Sequence, residues 1–135
     1  MVDFYTNQAA DNFRLARSRT FVEPADGTYN ILRIPKYTFV LEVFLNLKQA
    51  CSGGSPSITI GFVGNKETAD PDAFLTNTEA APGSTGLKTS KGGTAAWADG
   101  KYFDGGSGAI TLTFAAGGAT ARFIGNVFVM YSVVH

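Results

Sequence analysis

The chain has 135 residues, enough for one domain that buries about two-thirds of the surface its unfolded form exposes. Hydrophobic residues make up 44% and charged residues 16%, against roughly 25% charged in ordinary soluble domains, which excludes a disordered chain. The 11 basic and 11 acidic residues cancel, so no net field draws the chain to nucleic acid or to anionic lipid, and net charge does little to keep copies of it apart.

The N-terminal stretch "MVDFYTNQAADNF" lacks the cationic and apolar regions of a secretory signal, so none is expected. Residues 1–26 show no sustained periodicity and read as an extended arm preceding a domain over 27–135. The arm carries Phe4, Tyr5, Phe13 and Phe21 beside Arg14, Arg17 and Arg19, with no acid between Asp11 and Glu23. Aromatic anchors flanked by cations suit docking in a groove of an acidic protein surface. The plainer alternative is a solvated arm, and three arginines in a neutral chain are a thin footprint for nucleic acid.

"TYNILRIP" (28–35) is a short strand candidate ending at a proline. "TFVLEVFLNLK" (38–48) alternates with period two, placing Phe39, Leu41, Val43, Leu45 and Leu47 on one face of a long half-buried strand. Val40 and Phe44 interrupt its polar face. "SITIGFV" (57–63) and "AITLTF" (109–114) repeat the alternation and are weakly alike. "ARFIGNVFVMYSVV" (121–134) is apolar on both faces, with Phe128 and Met130 opposite the core side, as in a central strand or an interface. Val40, Phe44, Phe128 and Met130 together predict a self-association surface. Glycine-rich segments separate these runs, and residues 77–108 read as one long Gly-rich loop carrying Trp97, Tyr102 and Phe103. The pattern predicts an all-β fold, a single antiparallel β-sandwich of jelly-roll type.

Chemistry-bearing residues are sparse. "NKETADPDAFL" (65–75) gathers Glu67, Asp70 and Asp72, but neighbouring carboxylates on one loop share one environment, and the spacing of a calcium loop is missing. It reads as a turn in which Asp70 and Asp72 accept backbone N–H groups while Phe74 and Leu75 reach the core. Cys51 is the one cysteine, excluding an internal disulfide framework, and His135, the one histidine, is the last residue of the sequence. No P-loop, G-x-S-x-G or H-E-x-x-H occurs, so no catalytic residue, metal or cofactor is assigned. No apolar run approaches the roughly 18 residues of a spanning helix. Trp97 and its aromatic neighbours either seal the loop onto the core or stack on a sugar.

The succession of "YTFVLEVFLNLKQA", "SITIGFVGNKETADPDAFL", a Gly-rich loop and a closing apolar strand resembles a class of tailed-bacteriophage virion proteins. That class includes capsid decoration, or cement, proteins with a jelly-roll-like sandwich. The resemblance covers about residues 28–134 and implies a non-enzymatic structural protein, made in the host cytoplasm and carried on the capsid exterior. It further implies a homotrimer that binds the major capsid protein, with no nucleic-acid or membrane partner. Head–tail connector and tail proteins use similar small sandwiches, and a host-surface glycan-binding module is the alternative function.

Overall fold

The computed structural model describes residues 13–133. In chain order the strands are β1 (Phe13–Arg17), β2 (Phe21–Val22), β3 (Gly27–Ile34), β4 (Thr38–Gln49), β5 (Ser57–Gly64) and β6 (Asp70–Leu75). After a single helical turn, α1 (Asn77–Ala80), come β7 (Gly86–Thr89), β8 (Lys101–Phe103), β9 (Gly108–Ala115) and β10 (Ile124–Val133). The first sheet runs β1-β10-β4-β7, with β2 also on β10 and β8 also on β4; the second runs β3-β9-β5-β6. Every pairing is antiparallel. From β3 to β10 the chain crosses repeatedly between the sheets, the path of a jelly-roll-like sandwich.

Period-two strands supply the core. Val43, Leu45 and Leu47 of β4 and Val127 and Val129 of β10 face inward from the first sheet. Ile58, Ile60 and Phe62 of β5 meet them from the second, with Ile110, Leu112 and Phe114 of β9. The two similar runs "ITIGFV" and "ITLTFA" prove to be neighbours, with Ile58 opposite Phe114, Ile60 opposite Leu112 and Phe62 opposite Ile110. At one end the Phe114 and Phe123 rings meet edge-on at 5.0 Å, and at the other Phe62 meets Phe103 at 5.6 Å. Each such side chain, fully buried, contributes about 1.5–3 kcal/mol relative to exposure.

Four expectations change. Residues 13–22 are strands: β1 and β2 lie on β10, and Phe21 packs on Tyr29 and Phe123, so the boundary at residue 26 does not separate an arm from the sandwich. Phe4 and Tyr5 fall outside the described residues. Next, the face of β4 reverses part-way along. Met130 sits opposite Glu42 and Tyr131 opposite Val40, leaving Leu41 as the extra residue of a β-bulge. Beyond it Thr38 and Val40 turn inward and are fully buried, while Phe39 turns outward. Val40 therefore belongs to the core and not to a self-association surface. Gly100, at φ +125°, lets the preceding loop pass beneath Phe39, where any side chain would strike the ring.

The 77–108 segment holds α1, β7 and β8 and is not one loop. Thr76 and Glu79 close a capping box on α1, and the Lys88 ammonium donates to the carbonyls of Ala80, Ala81 and Ser84 at 2.8, 3.1 and 2.6 Å. Finally, Asp70–Leu75 is an edge strand, where Pro71 costs no ladder bond, and the turn lies upstream of it.

Candidate functional site

Residues opposite one another in a ladder share a face, so the register defines what the first sheet shows to solvent. One row is Arg17, Phe128, Phe44 and Thr89; the next is Leu15, Met130 and Glu42. Phe13, Ser132, Phe39 and Tyr102 form a third, beyond the bulge, and Asn126, Asn46 and Leu87 a fourth. Phe39, Phe44, Phe128 and Met130 are half-buried, while Leu15 and Leu87 are 62% and 64% exposed. The outer face of this sheet is thus an apolar stripe crossing every one of its longer strands. Three of the four residues expected to self-associate, Phe44, Phe128 and Met130, are adjacent within it. Phe13, Leu15, Phe39, Leu87 and Tyr102 join them. For Phe13 and Leu15, alternation on an exposed edge strand was the available signal; β7 and β8 were too short to give one.

Arg14, Arg17 and Arg19 are exposed along the β1 edge. Ser18 ends that strand, its N–H donating to the Val127 carbonyl at 2.8 Å and its hydroxyl accepting from the Val127 N–H at 2.9 Å. Beside it a shallow cleft of about 280 Å³ opens between the sheets, lined by Arg19, Phe21, Tyr29 and Ile31. The cluster predicted for docking is split: Phe13 and the arginines face solvent, whereas Phe21 is committed to the core cluster.

The acidic stretch resolves into two unlike parts. Gly64–Glu67 is the β5–β6 hairpin turn, with Asn65 and Lys66 at φ +58° and +54° and the Glu67 N–H donating to the Gly64 carbonyl at 3.1 Å, the pattern of a type I′ turn. Glu67 meets Lys101, whose Nζ is 2.9 Å from Oε2 and 3.1 Å from Oε1. Hydrogen bonding to Lys101 holds the Glu67 carboxyl below its ordinary value. Lys101 is 3% exposed, and its Nζ lies over the rings of Trp97, Phe62 and Phe103 at 4.0, 4.7 and 5.7 Å. Asn65 is also buried. Its Nδ2 donates to Glu67, and its Oδ1 accepts from the N–H groups of Gly105 and Gly106 at 2.7 and 3.1 Å.

Asp70 and Asp72 behave differently. Burial, then the neighbouring Asp72 carboxylate, push the Asp70 carboxyl up, against smaller opposing pulls from the Asp72 backbone N–H and Lys101. The expected pair of carboxylates stabilised by turn N–H groups is therefore a pair on an edge strand in which burial and Asp72 both disfavour the ionised Asp70. Among the described residues no group of three or more His, Cys, Asp or Glu could hold a metal ion. Cys51 is buried, and burial pushes its thiol up, away from nucleophilic use. Trp97, Tyr102 and Phe103 form no common exposed surface: Trp97 and the buried Phe103 flank the Lys101 ammonium, and Tyr102 is on the outer face of the first sheet. No described helix is long and apolar enough to cross a membrane.

No protein-family model matches the chain, and no curated protein matches it in sequence. Solved structures do match in fold. A chain of the acid-stable capsid of Helicobacter pylori bacteriophage KHP30 superposes with a TM-score of 0.64 at 18% identity, over 89% of this chain and 86% of that one. A chain of the cyanophage Pam1 capsid gives 0.65 at 17% identity, over 91% and 86%. A chain of the Ralstonia phage GP4 capsid gives 0.61 at 14% identity, over 100% and 90%. The fold is the jelly-roll-like sandwich also present in these phage capsid structures.

Proposed function

We propose that the protein is a structural component of a bacteriophage virion, and within that class a decoration protein that reinforces an assembled shell from outside. The observation that carries this reading is the reciprocal coverage of the fold matches. In three phage capsids the matching chain is itself small and is spanned almost end to end. A whole small sandwich is the form expected of an added shell component. The outer face of the first sheet supports the same reading, because a contiguous apolar stripe on a monomer marks a surface that a partner covers.

In this reading Phe44, Phe128 and Met130 pack copies of the chain together, as a homotrimer, and Phe13, Arg14, Arg17 and Arg19 meet the major capsid protein along the β1 edge. Multiple weak contacts repeated over a symmetric shell then supply the avidity. The glycan-binding alternative needed an exposed aromatic platform, and Phe103 is fully buried while Tyr102 lies on the outer face of the first sheet, away from Trp97. The test is sedimentation of the purified protein with undecorated phage shells. Saturable binding to assembled shells, with none to dissociated shell subunits, is expected. Failure to bind any assembled shell from the phage that encodes it contradicts the proposal.

A further inference from the structure

The cluster at the β5–β6 turn, with Lys101 and Asn65 buried and the Glu67 side chain at its rim, 41% exposed, has the parts of a reaction. Lys101 supplies an amine, Asn65 a carboxamide, and both hydrogen-bond to one carboxylate, Glu67. The Asn65 carbonyl oxygen accepts from two backbone N–H groups, of Gly105 and Gly106, the arrangement that stabilises an oxyanion as a carbonyl is attacked. Phe62, Phe103 and Trp97 surround the amine, so water is largely displaced from the nucleophile. The turn, β8 and the 104–107 connection hold these groups in place before any reaction, which removes the entropic cost of bringing them together.

We propose that Lys101 and Asn65 join through an intramolecular isopeptide bond, with Glu67 as the catalytic proton carrier. Glu67 takes a proton from the Lys101 ammonium, and the freed Nζ lone pair attacks Asn65 Cγ. The carbonyl electrons move onto Oδ1, held by the Gly105 and Gly106 N–H groups. Glu67 passes its proton to Nδ2, the Cγ–Nδ2 bond breaks as the carbonyl re-forms, and the nitrogen leaves as ammonia. Of the two protons left on Nζ, one stays as the amide N–H and the other leaves with the ammonia, so one ammonium ion is released for the ammonium consumed. No oxidant or cofactor enters the balance. The product is a covalent strut between β8 of the first sheet and the β5–β6 turn of the second, and its formation does not depend on whether the protein binds a shell.

The test is the mass of the folded wild-type chain, measured under denaturing conditions, followed by a peptide map. The expected mass is lower than the sequence mass by one ammonia, with a branched peptide joining the Asn65 and Lys101 segments. Glu67→Gln and Lys101→Met should both carry the full mass. An unlinked wild-type chain, with free Lys101 after prolonged incubation in the folded state, overturns the proposal, as does a Glu67→Gln chain that links at the wild-type rate. If Lys101→Met does not fold, the wild-type peptide map and Glu67→Gln decide the matter.

Discussion

The two sheets share one core but turn opposite characters to solvent. The first shows Phe13, Leu15, Phe39, Phe44, Phe128 and Met130. The second shows threonines at the matching positions, Thr28 opposite Thr113 opposite Thr59, with the exposed Asn30 in the adjoining row. The Thr28 and Thr113 hydroxyls hydrogen-bond to each other at 3.0 Å, so that face satisfies itself in water. Among the described residues, four of the seven exposed large hydrophobics, Phe13, Leu15, Leu87 and Tyr102, belong to the outer face of the first sheet and none to that of the second. Folding alone requires neither arrangement, since either outer face could be polar. Under the proposed function, the first sheet is the side of the sandwich that a partner covers.

The largest test of this contrast lies within β4. Val40→Asp places a charge in the core on the inward side of the bulge and should cost several kcal/mol, enough to abolish cooperative unfolding. A folded Val40→Asp chain would mean that Val40 faces outward and that the bulge at Leu41 is misplaced. Deleting residues 1–22 should also destabilise strongly, because it strips β1 and β2 from β10 and removes the Phe21 ring from Phe123; thermal melting measures the loss.

Smaller effects follow at the surface. Reversing Arg14, Arg17 and Arg19 to Glu should leave the melting temperature nearly unchanged and weaken shell binding by roughly tenfold at low salt, the difference shrinking as salt rises. Salt-independent loss would assign those side chains to packing. The smallest effect is expected at the second sheet's edge. The Asp70 carboxyl is raised in the folded state, so its ionisation costs stability above its ordinary value of 3.8, and that cost vanishes below it. Asp70→Asn should therefore raise the melting temperature slightly at neutral pH and lose that advantage in acid.

Much of the core was legible in the sequence. β5, β9, β10 and the C-terminal half of β4 follow period two because each buries one whole face. What escaped has physical causes. A bulge inserts a residue without altering composition, so Val40 and Phe39 exchanged faces unannounced. β7 and β8 are four and three residues long and exist through pairing with β4, a contact distant in sequence. β1 is an edge strand with almost no buried face, which left its alternation without a hydrophobic signature. At the candidate surface, Phe44, Phe128 and Met130 could be found as apolar residues on faces not needed for the core. In the acidic stretch the carboxylates are plain in the sequence, whereas the group that pairs with Glu67, Lys101, lies 34 residues along the chain.

The most direct measurement is solution mass by light scattering for the wild type and two variants, Phe44→Asp with Phe128→Asp on the first sheet and Thr59→Asp with Thr113→Asp on the second. The wild type should be trimeric at tens of micromolar, the first variant a folded monomer, and the second still trimeric. A monomeric wild type, or a trimer that survives the first variant and is lost in the second, would contradict the assignment of the apolar face as the surface of assembly.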